Sequence, residues 1–300
     1  MPILIVITGP TAIGKTDLAI QVARQLNTHI LSCDSRQFYR EMNIGTAKPT
    51  LEELAAAPHH FINSLSVTDA YSVGDYERDA LAKLESLFQT HEQVILTGGS
   101  GLFIKAVCEG LDRFPDIPVE VRKEIETWYE TKGIEALQEE LQQVDSAYYS
   151  TVDLSNPHRL IRALSVYRAS GQPFSSFRRQ AKVTRPFKIK YILLEREREE
   201  LYDRINKRAD LMLEMGLETE VRSLLPYRNY TALQTVAYQE FFDFFDGKID
   251  DAECVRLIKR NTRRYAKRQL TWFRQQEHWQ RFPATDTEAI LTYIKKEIAS

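Results

Sequence analysis

The chain opens on an unbroken apolar run, Ile3 to Ile7, that enters a glycine turn and reads as a buried strand. Thr16 to Leu26 places Leu18, Val22 and Leu26 at helical spacing. Ile30 to Cys33 is a second short strand ending at Asp34, and Tyr76 to Phe88 is a helix with apolar positions at 80, 81, 84, 87 and 88. Gln93 to Leu96 reads as another strand, followed by Gly98-Gly99-Ser100-Gly101 and a helix from Leu102. Strands that alternate with helices predict an α/β fold with a parallel sheet covered on both faces.

The pattern changes after Gly110. Leu111 to Pro118 carries two prolines and reads as a crossing point. Residues 119–143 are helical and acidic, and Asn156-Pro157 opens a further helix that Gly171 closes. A basic, irregular stretch over 175–186 leads back to a strand at Lys188 to Leu194, and 197–300 reads as mostly helical. The expected organisation is a phosphate-loop-type core, residues 1–111 and 187–300, interrupted by a helical insertion domain over 112–186.

The 300 residues are 43% apolar and 27% charged, enough for a large core, which excludes disorder as the dominant state. No apolar run approaches the roughly 20 residues of a membrane span, and the first residues do not read as a signal peptide. Cys33, Cys108 and Cys254 are far apart and odd in number, which argues against a disulfide framework or a cysteine zinc site and for the cytoplasm. The net charge of −2 hides an asymmetry. Nine Lys or Arg lie between Asp153 and Glu195 and eight between Glu253 and Glu277, with no acid in either stretch. That pattern predicts a polyanionic partner bound at a defined place; its bland alternative is a pair of solvated helix faces.

Gly9-Pro10-Thr11-Ala12-Ile13-Gly14-Lys15-Thr16 fits G-x-x-x-x-G-K-[ST] between a strand and a helix. Such a loop turns backbone N–H groups toward phosphate oxygens, with the helix N-terminus and the lysine adding positive charge. The Thr16 hydroxyl is a candidate ligand for Mg²⁺. An ATPase would normally carry an acid at the end of an apolar strand to hold that ion. Val94-Ile95-Leu96 instead ends in Thr97-Gly98-Gly99. Asp34 is the strongest carboxylate candidate, against the alternative of an ordinary turn aspartate. Arg204 and Arg208, one helical turn apart, are candidates to reach a phosphate or to be solvated. Arg256, Arg260, Arg263, Lys267 and Arg274 follow one helical stripe, with Ile258, Tyr265 and Trp272 available to seat the opposite side. This is the expected form of a helix laid on a sugar-phosphate backbone.

Together these residues resemble the tRNA dimethylallyltransferases, or tRNA isopentenyltransferases, from Ile5 to about Arg274. The resemblance is carried by Gly9–Thr16, Asp34-Ser35-Arg36-Gln37 with Tyr39, Asn43–Pro49, Gly98–Leu102, Asn156–Ala163 and Lys267–Arg274. It implies transfer of the dimethylallyl group of dimethylallyl diphosphate to N6 of the adenosine 3′ of the tRNA anticodon, leaving N6-isopentenyladenosine and diphosphate. The phosphate loop would then hold a prenyl diphosphate, with Lys15, Thr16 and Arg208 binding it beside Mg²⁺. Asp34 matches the general base, and Ser100 stands where the family usually has Thr. The implied contacts to the anticodon stem-loop are Asp34, Ser35, Arg36, Gln37, Ser100, Arg122, His158, Arg159, Leu160, Ile161, Arg162, Gln234, Tyr238, Gln239, Lys267, Arg268, Gln269, Trp272 and Arg274. Ala237 replaces a common family Gly, which would be strained if that backbone needs positive φ. The expected protein is a monomer that does not enter membranes. A small-molecule phosphate-loop kinase, an adenylate isopentenyltransferase and a non-catalytic RNA-binding protein are the competing readings.

Overall fold

The computed structural model describes residues 1–178, 183–276 and 278–299. Arg179 and Lys182 of the basic stretch lie outside the described residues. The chain divides into two compact units, Met1–Glu109 with Thr184–Ser300, and Gly110–Val183.

The first unit is built on six parallel strands: β1 (Ile3–Thr8), β2 (Ile30–Ser32), β3 (His59–His60), β4 (Gln93–Gly98), β5 (Lys188–Glu195) and β6 (Gln280–Pro283). Their order across the sheet is β3-β2-β4-β1-β5-β6. The helices of this unit before the insertion are α1 (Lys15–Leu26), α2 (Leu51–Ala56), α3 (Val73–Leu87) and α4 (Gly101–Glu109). The second unit holds α5 (Val119–Val144), α6 (Ser146–Tyr149) and α7 (Pro157–Ser170). The first unit resumes after β5 with α8 (Arg198–Glu214), α9 (Leu217–Ser223), α10 (Tyr238–Phe245), α11 (Asp251–Arg274) and α12 (Thr287–Ala299).

The pleat of β1 explains why the sheet is covered twice. Ile3, Ile5 and Ile7 pack with Leu18 and Val22 of α1 and Leu201 and Ile205 of α8. Leu4 and Val6 face the other way, onto Tyr76 and Leu84 of α3 and Ile104 of α4. A strand buried on both faces must be apolar throughout, which is why its sequence showed no alternation. The second unit has its own core of Ile125, Leu137, Leu141, Leu160, Ala163 and Leu164.

Several boundaries differ from the sequence reading. α3 begins at Val73 because Ser72 and Asp75 form a reciprocal capping box, with hydrogen bonds of 2.9 and 3.1 Å. α5 is broken at Gly133, whose φ is 81°. The strands β3 and β6 were not anticipated. β3 is two residues long, and β6 is an edge strand whose exposed residues leave no apolar run to read. Among the described residues no helix is long and apolar enough to cross a membrane.

Candidate active site

The C-terminal ends of β1, β2 and β4 converge, as ligand sites do in parallel α/β sheets. β1 delivers Gly9–Gly14 and then the first turn of α1, with Lys15 and Thr16. β2 delivers Asp34, two residues beyond its end. Gly98 at the end of β4 makes this convergence possible. Its φ is 158°, and a Cβ there would meet Cys33 Sγ at 2.6 Å and the Asp34 nitrogen at 2.8 Å. Only glycine lets β4 pass that close to Asp34.

Two cavities open on this convergence. One, of about 440 Å³, is lined by Thr11–Asp17, Asp34, Thr46, Ala47, Gly98, Arg204 and Arg208 among others. The second, of about 350 Å³, is lined by Ser35, Arg36, Gln234–Ala237, Gln239, Ile258, Thr262, Tyr265 and Arg268 among others. Thr11, Asp34, Thr46 and Arg208 line both. The first is a basic, phosphate-loop cavity; the second is broader in chemistry, with amides, an aromatic ring and arginines. A carboxylate and a guanidinium stand at their junction.

The cationic groups are held at the cost of solvation. Burial, with Arg208 adding to it against the opposing pull of Asp34, lowers the Lys15 ammonium to about 8. Burial likewise lowers the Arg208 guanidinium. Lys15 Nζ donates to the Gly9 and Pro10 carbonyls at 3.0 and 2.8 Å, and Arg208 donates to the Thr11 hydroxyl. Arg204 Nε donates to the Ala12 carbonyl at 2.8 Å, so this arginine braces the loop from α8. An anion in the loop would add to the counter-charge that Asp34 gives these groups.

Asp34 Oδ1 accepts the Arg36 N–H at 3.0 Å, a turn interaction, and the residue lines both cavities. The Ser100 hydroxyl accepts the Ser35 N–H at 3.2 Å and pairs with the Ser35 hydroxyl at 3.3 Å. Burial followed by the Asp34 charge pushes the Tyr265 phenol up to about 12. Tyr265, Thr46 and Thr262 escaped the sequence reading as site residues. Thr46 carried a signal, since it lies inside the Asn43–Pro49 motif; the other two carried none beyond helical phase.

Several residues expected to contact RNA have their side chains committed elsewhere. Gln269 is buried; its Oε1 accepts the Thr11 N–H and its Nε2 donates to the Gly99 carbonyl, each at 2.9 Å. Tyr238 is fully buried and donates to Glu220 at 2.6 Å. Gln37 Nε2 donates to the Thr46 and Ala47 carbonyls at 3.3 and 3.1 Å, while its Oε1 accepts from Ser32. Leu160 and Ile161 belong to the core of the second unit. In each case an apolar, amide or phenol side chain met internal partners that the motif could not reveal. Arg36 donates to the Thr231 and Gln234 carbonyls, holding the loop before α10.

Others remain presented. Gln234, Gln239 and Arg268 are exposed and line the second cavity. Lys267 and Arg274 are exposed on α11, and Trp272 is half-buried beside the core under α4. In the second unit, His158, Arg159 and Arg162 are exposed on one face of α7, with the Arg162 guanidinium 5.4 Å from the Phe114 ring centroid. Arg122 in the first turn of α5 pairs with Glu126 at 2.8 Å.

The basic stripe of α11 lies on the side of the helix away from the second cavity. The face carrying Ile258, Thr262 and Tyr265 walls the second cavity, so the stripe points the opposite way. Arg256 is paired with Glu253 at 2.6 Å, and Arg263 donates to Asn206 of α8 at 2.6 Å. The stripe is therefore no wall of the cleft. Ala237 does adopt positive φ, 77°, where its N–H is accepted by Glu240 at 2.7 Å.

Fold and site thus define a parallel α/β protein whose glycine-loop cavity adjoins a second cavity through a carboxylate. The family model for the IPP transferases matches residues 37–276. The chain is 53% identical over 297 residues to the tRNA dimethylallyltransferase of Christiangramia forsetii, covering 98% of each chain. It is 47% identical to that of Cytophaga hutchinsonii, covering 98% of this chain and 97% of the relative. The crystal structure of a full-length tRNA isopentenylpyrophosphate transferase from Bacillus halodurans matches with a TM-score of 0.75 at 34% identity, over 100% of this chain and 97% of that one. The chain belongs to the IPP transferase family.

Proposed function

We propose that this protein transfers the dimethylallyl group of dimethylallyl diphosphate to N6 of the adenosine 3′ of a tRNA anticodon. The relatives named tRNA dimethylallyltransferase support the reaction class. The observation that carries the reading is the junction: Asp34 and Arg208 line both cavities.

The exocyclic amine of adenine is a weak nucleophile, and an allylic diphosphate compensates by ionising readily. The N6 lone pair forms the bond to C1 of the dimethylallyl group as the C1–O bond breaks and its electron pair leaves with the diphosphate. Lys15, Arg208 and the N–H groups of Gly9–Thr16 stabilise the negative charge that grows there. Asp34 accepts the proton that N6 gives up. The Ser100 hydroxyl, fixed by Ser35, orients the amine. The base must leave its stack to reach the junction.

Magnesium fits this donor set as a substrate-held ion. Among the described residues no three His, Cys, Asp or Glu side chains are grouped to cage a metal. Thr16 would supply a hydroxyl and the diphosphate most other ligands, as this hard cation prefers. The ion would add charge neutralisation on the leaving group. RNA would be held by Gln234, Gln239 and Arg268 in the first unit, and by His158, Arg159 and Arg162 in the second. The three cysteines are free and buried, in keeping with a reducing cytoplasm.

Mass spectrometry of tRNA nucleosides before and after incubation with enzyme and dimethylallyl diphosphate tests the reading. The expected product is an adenosine carrying one isopentenyl unit. Modification of free AMP in preference to tRNA would reassign the acceptor, and phosphate release from ATP would favour a kinase.

A further inference from the structure

The segment Asn43-Ile44-Gly45-Thr46-Ala47-Lys48-Pro49 is irregular backbone, yet it forms part of both cavities. Ala47 and Pro49 line the phosphate-loop cavity, Gly45 lines the second, and Thr46 lines both. Backbone that walls a site without helix or strand hydrogen bonds must be held by something else.

It is held chiefly by Glu220 of α9. Its Oε2 accepts the Asn43 and Ile44 N–H groups at 2.9 and 2.7 Å. Its Oε1 accepts the Gly45 N–H at 3.1 Å and the Tyr238 hydroxyl at 2.6 Å. Three successive N–H groups converging on one anion make a nest, a geometry that elsewhere captures phosphates. Here the anion comes from the protein itself. Tyr238 lies directly after the Gln234–Ala237 wall of the second cavity. Gly45 is packed so closely on the Tyr238 ring that a Cβ would lie 2.6 Å from it. Gln37 and Lys48 then fix the far half of the segment, Lys48 donating to Asn43 and Asn63 at 3.0 and 2.5 Å.

We propose that Glu220 is a positioning residue, which latches the Asn43–Gly45 backbone to Tyr238 and so sets Thr46 at the junction where donor and acceptor meet. The carboxylate does no chemistry and reaches neither cavity. It acts through the segment it holds, and its two oxygens divide the task. One secures the segment, and the other ties the segment to the start of α10. This rests on the transfer reaction proposed above for its catalytic consequence, but not for the latch itself.

The test uses the full chain and the Glu220→Gln variant, whose amide nitrogen faces N–H donors it cannot accept. Amide hydrogen exchange needs no substrate. Exchange of the 43–45 amides is expected to speed up at least about tenfold, with β1 and β4 unchanged. In steady state, kcat/KM is expected to fall about 10- to 100-fold for both substrates, the scale of a small misplacement at a reacting centre. Exchange that rises across the whole sheet, with kinetics per folded molecule unchanged, would make Glu220 a stability residue only and overturn the proposal. Should that variant fail to fold, Tyr238→Phe leaves the three N–H bonds and cuts only the tie to α10. The expected result is a several-fold rise in KM for tRNA with KM for the prenyl donor unchanged; an unchanged KM for tRNA would overturn it. If wild-type protein makes no isopentenyl product, the reaction is wrong while the exchange measurement still decides the latch.

Discussion

Gln269 Oε1 accepts the backbone N–H of Thr11 at 2.9 Å, so a residue near the end of α11 closes a hydrogen bond inside the phosphate loop. Through Nε2 the same amide reaches the Gly99 carbonyl, one residue before Ser100. The donor loop and the turn that carries Ser100 are thereby braced against one helix. Replacing Gln269 with Leu fills the space but leaves both partners unpaired, at about 1–3 kcal/mol for the buried Gly99 carbonyl and less for the half-buried Thr11 N–H. Thermal melting is expected to fall by several degrees. KM for the prenyl donor should rise. Unchanged melting would show that water replaces the amide on both sides.

Asp34 to Asn keeps the shape of the turn and removes the proton acceptor. kcat is expected to fall about 10²–10⁴-fold, the range for losing a general base, with tRNA affinity changed far less. Single-turnover rates measured with bound tRNA would check this. A near-normal rate would leave Asp34 as a turn residue, the role its bond to the Arg36 N–H already performs.

Lys15 couples pH to donor use and to stability with opposite signs. Its ammonium titrates near 8 in the folded protein and near the ordinary 10.5 when unfolded. Above pH 8 the free enzyme loses the charge that meets the diphosphate, so kcat/KM for the donor should fall along an alkaline limb. Between pH 8 and 10.5 the unfolded chain holds the extra proton, so stability should rise with pH from this group. Bound diphosphate favours the ammonium, which moves the limb to higher pH in kcat than in kcat/KM. A pH-rate profile and denaturant melts across this window separate the two effects. Lys15→Arg should abolish the limb.

The faces of α11 predict different salt dependences for RNA binding. Arg268 lines the second cavity, whereas Arg256 lies on the far face and is paired with Glu253. Arg268→Ala is expected to reduce the slope of log K against log salt by up to about one, and Arg256→Ala to leave it near the wild-type value. Filter binding at several salt concentrations measures both. Equal loss in the two variants would return the RNA to the outer stripe.

Turnover should release inorganic diphosphate and require no ATP. A coupled diphosphate assay with and without ATP decides between a prenyl transferase and a phosphate-loop kinase.

Local pattern was enough to establish the α/β core, the phosphate loop with Lys15 and Thr16, and Asp34 as its neighbouring carboxylate. Those features depend on the order of residues along one strand-turn-helix unit, where spacing and glycine placement dictate the geometry. Helix α7 of the insertion was equally legible, because Asn156, Pro157 and Gly171 act as caps over a few residues. What sequence alone left open was which way each side chain faces. Gln269, Tyr238 and Gln37 sit in motifs that suggested RNA contact, yet each is consumed by an internal partner, which for Gln269 lies 258 residues away. The face of α11 that meets the cleft was likewise undecided. An amphipathic helix has two sides, and only the packing of Ile258 and Tyr265 against distant elements selects the inner one. β6 became a strand only because β5 offers it a ladder across nearly ninety residues. Long-range hydrogen bonds and burial have no signature in local periodicity, so the tertiary structure alone decided them.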